Sequence, residues 1–205
     1  MGGSMSAIVL SGDTSGAVTI NVPAVAGTNT VTIPAVTGTA VVSGQNSAIT
    51  AGTAVASTSG TSIDFTSIPS WVKRITIMLS SVSFNGSGHL LIQIGTSGGI
   101  VTSGYNSTST YALAGSSATG GVTSTNGYIM YVASSAYLVS GHIVLTNISS
   151  NIWICSGMIG NLSSITYTGQ TGGAGSLSGS LSTVRLTSST GTDTFDNGQI
   201  NILYE

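Results

Sequence analysis

Trp71-Val72-Lys73-Arg74-Ile75-Thr76-Ile77-Met78-Leu79 decides the fold class. Trp71, Ile75, Ile77 and Leu79 alternate with Val72, Arg74, Thr76 and Met78. A period of two is the mark of a half-buried strand. Asn85-Gly86-Ser87-Gly88 follows shortly after, and then a second apolar run, His89-Leu90-Leu91-Ile92-Gln93-Ile94. Polar turn residues between two β-runs predict a hairpin. Further β-runs lie near 110–114, 127–132, 137–147, 151–160, 163–168, 181–188 and 199–204. Asn126-Gly127 and Asn197-Gly198 carry turn chemistry. No stretch shows strong helix formers at helical spacing. Many short strands with turns between them predict an all-β head over residues 62–205, an antiparallel, jelly-roll-like β-sandwich. Gly169–Gly179 is glycine-rich and reads as a long surface loop.

Upstream of the head the pattern changes. Residues 45–61 are Ala, Ser, Thr and Gly with little periodicity, and read as a linker. Residues 1–44 form an arm. Within it, Val22-Pro23-Ala24-Val25-Ala26-Gly27-Thr28-Asn29-Thr30-Val31 is echoed by Ile33-Pro34-Ala35-Val36-Thr37-Gly38-Thr39-Ala40-Val41-Val42. Each copy is a short β-run stopped by proline, which is confined to strand ends and edges. Neither copy holds enough apolar residues to close a core alone, so each needs neighbours to stack on. The arm therefore reads as an extended, interwoven assembly device. Its expected buried and corner residues are Val22, Pro23, Val25, Val31, Ile33, Pro34, Val36 and Val42.

Composition narrows the partners. Only 4% of the 205 residues are charged, three basic and five acidic, against roughly 25% in ordinary domains. Lys73, Arg74 and Arg185 cannot supply the several phosphate contacts that nucleic-acid binding needs. They are equally too few to hold an anionic membrane surface, and no apolar run reaches the ~18 residues of a membrane span. Cys155 is the only cysteine, so no intrachain disulfide forms. In Ile152-Trp153-Ile154-Cys155 it alternates as a buried strand residue.

Three stretches of the two ends carry a resemblance. Ser6 to Gly16 together with the two repeats resembles the start of tailed-bacteriophage fibre proteins. Ile63-Asp64-Phe65-Thr66-Ser67-Ile68-Pro69-Ser70-Trp71-Val72-Lys73-Arg74-Ile75-Thr76-Ile77 and the final Gly191-Thr192-Asp193-Thr194-Phe195-Asp196-Asn197-Gly198-Gln199-Ile200-Asn201-Ile202-Leu203-Tyr204-Glu205 look like the ends of a phage fibre head domain. Residues 85–175 carry no such motif. The resemblance implies a homotrimeric virion component assembled in the bacterial host cytoplasm. Its arm would bind other virion proteins of the tail or capsid, and its head would contact the host surface, with a glycan as the expected ligand. The chain has almost none of the long shaft common in such fibres, so a capsid decoration or head fibre is the alternative, and a spike glycan hydrolase a more remote one.

The residues give little support to chemistry. Asp193-Thr194-Phe195-Asp196-Asn197-Gly198 fails the EF-hand pattern, because Phe195 and Tyr204 stand where ligands are required. Glycoside hydrolysis needs two carboxylates flanking a sugar bond. Asp64 with Asp193 or Asp196 is the sole plausible pair, and an ion pair of Asp64 with Lys73 or Arg74 is the expected alternative. His89 and His142 read as exposed or satisfied strand histidines rather than metal ligands. No catalytic residue, metal site or cofactor is expected. Trp71, Trp153, Tyr128 and Tyr131 read as core. Tyr105, Asn106 and Tyr111 lie in a polar Ser/Thr/Gly stretch, where aromatic faces with an amide donor suit sugar binding. They are the candidate receptor-binding residues.

Overall fold

The computed structural model describes the backbone of Ala7–Ser11 and Ala17–Asn21, and residues 49–205 apart from Ala133, Leu162 and Ser164. The chain divides into two bodies, Met1–Ala40 and Val41–Glu205. In the first, β1 (Ala7–Ser11) pairs antiparallel with β2 (Ala17–Asn21), setting Ile8 opposite Ile20 and Leu10 opposite Val18. The arm residues Val22, Pro23, Val25, Val31, Ile33, Pro34, Val36 and Val42 lie outside the described residues.

The second body is an antiparallel β-sandwich, and all-β as expected. Its large sheet is built around β6 (Arg74–Phe84), the strand that the opening stretch predicts. On one side β6 pairs with β12 (Val139–Ser149), which leads through β13 (Ile152–Asn161), β14 (Tyr167–Ser176) and β9 (Asn106–Leu113) to the edge strand β10 (Thr119–Ser124). On the other side lie β16 (Phe195–Tyr204) and then β3 (Thr50–Ala51) and β4 (Val55–Ala56). The small sheet runs β11 (Tyr128–Met130), β7 (Leu90–Thr96), β15 (Thr183–Ser188), β5 (Ser62–Phe65), with β8 (Gly99–Ile100) on β7.

The core lies between the sheets and follows from period two. Ile75, Ile77 and Leu79 of β6, Ile143 and Leu145 of β12 and Ile200 and Ile202 of β16 project from the large sheet. Leu90, Ile92 and Ile94 of β7 meet them from the small one, with Val184 and Leu186 of β15. Burying side chains of this size stabilises by about 1.5–3 kcal/mol each, before the cost of chain entropy. Tyr128 and Trp153 are buried in this core as expected, joined by a 2.8 Å hydrogen bond from the Tyr128 hydroxyl to the Trp153 carbonyl. The phase breaks before β6: Val72 is buried, while Trp71 is half-buried against Tyr204, ring centroids 5.9 Å apart.

Four expectations are corrected. First, Asn85-Gly86-Ser87-Gly88 is not a hairpin turn. It carries the chain from β6 in one sheet to β7 in the other. It is held there by the Asp193 carboxylate, which accepts from the Gly88 N–H at 2.8 Å, and by Asn85, which accepts from the Thr194 N–H at 2.9 Å. Second, Asn197-Gly198 lies inside β16, where the register with β6 shifts. Gly198 has φ +92°, and a Cβ there would meet the Ser80 carbonyl oxygen at 2.4 Å. Third, Gly169–Gly179 is largely strand, because β14 runs through Ser176 between β13 and β9. Its glycines let other groups approach: a Cβ on Gly175 would meet the Tyr105 ring at 2.8 Å and the Tyr128 hydroxyl at 2.9 Å. Fourth, residues 50–56 of the expected linker are docked as β3 and β4 on β16. The buried Ser57 continues that seam, its hydroxyl donating to the Asn197 carbonyl at 2.8 Å.

Candidate functional site

The three residues expected to bind a receptor do not form one site. Tyr105 is only 3% exposed. Its hydroxyl accepts from the Ile94 N–H at 2.8 Å and donates to the Val101 carbonyl at 2.9 Å. Its ring meets Tyr128 edge-on at 5.0 Å. Burial pushes its pKa up to about 12, against the pull of the Ile94 hydrogen bond. Tyr105 is a core tyrosine that satisfies the β7 backbone. The polar sequence around it hid this, because its partners come from other strands.

Asn106 and Tyr111 stand five residues apart on β9, so alternation sends them to opposite faces. Asn106 is exposed on the outer face of the large sheet. Tyr111 turns inward and stacks on Tyr131, centroids 4.1 Å apart and planes 25° apart. Its ring also fills the space beside Gly120, where a Cβ would meet Cε1 at 2.6 Å. Tyr131 reaches His89 at 5.0 Å and Tyr167 at 5.8 Å, and Tyr137 adds a ring 5.3 Å from Tyr167. The aromatic faces are thus spent on one another. Tyr131, expected as core, is half-buried in this cluster. Burial lowers the pKa of His89, whose Nδ1 accepts from the Val132 N–H at 3.3 Å.

The carboxylates among the described residues are also committed to partners. Asp64 pairs with Arg185 rather than Lys73 or Arg74. Arg185 Nε and Nη2 reach its two oxygens at 2.7 Å each, across the β15–β5 register that sets the two residues opposite. Arg74 is paired with Glu205, and Lys73 Nζ donates to Asn147 Oδ1 at 3.3 Å. Burial raises the Asp193 pKa, but hydrogen bonds from the Gly88 N–H and the Ser188 and Thr190 hydroxyls outweigh it and hold the group below the usual carboxylate range. Asp196 accepts from the Ser83 hydroxyl. Among the described residues no three His, Cys, Asp or Glu side chains gather as metal ligands do. Cys155 is buried as expected, its pKa pushed up to about 12 by burial, so its thiolate is scarce at neutral pH.

What remains are two unlike outer faces. Over the small sheet, Gln93, Arg185 and Asp64 lie side by side on β7, β15 and β5. A hollow of about 330 Å³ opens above them. Thr61, Asn126, Thr187 and Ser189 line it, over the buried Leu91. Hydroxyls, amides and one guanidinium can hydrogen-bond a neutral polar ligand.

The outer face of the large sheet is different. The strand registers place Gln170, Met158, His142, Met78 and Asn201 in one row across β14, β13, β12, β6 and β16. Met158 is 55% exposed, and Ile152 and Ile154 on the same strand are 44% and 41%. His142 is exposed at the centre. Two shallow hollows flank this ridge. One, of about 400 Å³, is lined by Thr110, Ala112, Thr168, Gln170 and Met158, and the expected receptor residue Tyr111 borders it. The other, of about 440 Å³, is lined by Arg74, Thr76, Met78, His142 and Val144. Arg74, already paired, is the one Lys, Arg, Asp or Glu in either lining.

No protein-family model matches the chain, and no curated protein or solved structure is detectably similar to it.

Proposed function

We propose that the chain is the subunit of a short homotrimeric bacteriophage fibre, anchored to the virion by its arm and presenting its β-sandwich head to a neutral glycan of the host surface. The reading rests on the fibre resemblance of the two ends of the sequence. The observation that carries it is the contrast between the two outer faces of the head. One is polar and hydroxyl-lined, as a face turned to solvent and sugar would be. The other is broad and nearly uncharged, with Met158, Ile152 and Ile154 exposed among Thr, Gln and His side chains, which suits an assembled surface better than the surface of a free monomer. A phage fibre needs both.

Light-scattering mass of the purified full chain is the first test. A trimer supports the fibre reading, and a stable monomer overturns it. Attachment is tested separately, by binding of the full chain to host cells with and without Arg185→Ala and Gln93→Ala in the polar hollow. Weakened binding supports the glycan assignment, and unchanged binding removes it. Deleting residues 1–44 should abolish incorporation into particles while leaving the head folded. Normal incorporation of the truncated chain would refute the anchoring role of the arm.

A further inference from the structure

Resting on that homo-oligomeric reading, we infer that the copies meet through the outer face of the large sheet, with the Met158–His142–Met78 row at the contact. The occupant of this face is therefore another copy of the same chain.

Charge, area and contrast support the assignment. A face meant for an unlike protein is commonly matched by complementary charge. The two hollows on this one offer no free charge of either sign to match: Arg74, the one Lys, Arg, Asp or Glu in either lining, is already paired with Glu205. A neutral face can lie against another copy of the chain without charge repulsion, whichever patch of that copy it meets in a cyclic trimer. Six strands from β9 to β16, spaced ~4.8 Å apart, and about seven residues along each give a footprint of roughly 700 Å². That is close to the ~800 Å² that each partner contributes to a standard stable interface. The small sheet makes a poorer contact, because its outer face carries the Arg185–Asp64 ion pair in mid-strand, where docking would bury it, and burying those charges would cost more than the pair returns. The Arg74–Glu205 pair of the large sheet, 54% and 34% exposed, stands at the start of β6, where the rim of a contact leaves it in water. Met158 and Met78 suit the role, since unbranched thioether side chains adapt to an irregular facing surface.

Met158 is its own probe. It is 55% exposed in the single chain, so an uncovered face should let hydrogen peroxide oxidise it at nearly the rate of free methionine. The full-length oligomer is treated with peroxide, and sulfoxide at Met158 is followed by peptide mass. The expected result is oxidation at least tenfold slower than free methionine. In Ile154→Lys, which places a charge on the same face, the rate should return to the free value while far-UV circular dichroism stays unchanged. This readout works even if the arms keep the chains together.

An oligomer whose Met158 is oxidised like free methionine overturns the inference and leaves the fibre reading standing. A monomeric full chain sinks the fibre reading itself. Protection of Met158 only in intact particles would mean that a different virion protein covers the face, which also overturns the inference.

Discussion

Tyr105→Phe separates the core role of this tyrosine from the receptor role that its sequence context suggests. The substitution keeps the ring against Tyr128 and removes only the hydroxyl. That hydroxyl is the acceptor for the Ile94 N–H, in a residue with no exposed surface, and the donor to the Val101 carbonyl. A buried group left without its partner costs about 1–3 kcal/mol. The Val101 carbonyl lies at a half-buried residue and adds about 1 kcal/mol at most. The sum is about 1–4 kcal/mol. A body of this size loses about 2–4 °C of Tm per kcal/mol, so Tm should fall by about 2–16 °C. The assay is thermal and urea unfolding of the full chain, followed by fluorescence of Trp153 and Trp71 at fixed protein concentration, because association shifts apparent stability. Host binding by the folded variant should be unchanged. A loss below about 0.5 kcal/mol would refute the buried hydrogen-bond argument. Lost binding with full stability would return Tyr105 to the receptor.

Gly198→Ala should cost at least about 2 kcal/mol, since φ +92° and a Cβ 2.4 Å from the Ser80 oxygen both forbid a side chain; an unchanged urea midpoint would refute this. Lowering pH should destabilise the head through His89. Its folded pKa lies below the ordinary 6.5, so the unfolded chain takes up the proton first. The stabilisation is complete above about pH 6.5 and is lost as pH falls through the folded value. His89→Gln should flatten the urea midpoint between pH 7.5 and 5.5, and an identical slope in both proteins would count against it. Asp193 acts lower: its depressed pKa gives stability that is present above the ordinary 3.8 and lost as pH falls through the folded value. Asp193→Asn should therefore lose stability at neutral pH and show a shallower acid transition, and equal stability at pH 7 would count against the loop role. Asp64→Asn, at a half-exposed pair, should change stability by no more than about 1 kcal/mol, and a larger loss by urea titration would mean the pair is more than a surface tie.

The strands were legible where one face is buried and the other is not. Ile75, Ile77 and Leu79 alternate because β6 has core on one side only, and Trp153 and Cys155 of β13 follow the same rule. What was illegible depends on partners distant in sequence. β14 reads as loop because its glycines have poor strand propensity. It is a strand because β13 and β9 enclose it and because the rings of Tyr105 and Tyr128 need the room that Gly175 leaves. β3 and β4 are too short and too small-sided to show a period, and exist only because β16 offers an edge. The turn at 85–88 was visible as a reversal, but a turn signal does not say which sheet the next strand joins. The candidate site failed for a related reason. Tyr105, Asn106 and Tyr111 are neighbours along the chain, and alternation together with tertiary packing separates them.

The pairing of β6 with β16 imposes a schedule on synthesis. About 110 residues separate Phe84 from Phe195. At ~5–20 residues per second the ribosome needs roughly 5–20 s to make them. Throughout that interval β6 can acquire β12 on one side, while its other side waits with an open row of N–H and C=O groups beside Ile75, Ile77 and Leu79. Many copies translated from one message would hold that same unfilled strand edge within reach of each other. The nascent chain therefore faces its greatest danger of mispairing before β16 emerges, and an added holdase that covers the open edge of β6 should raise the yield of folded protein.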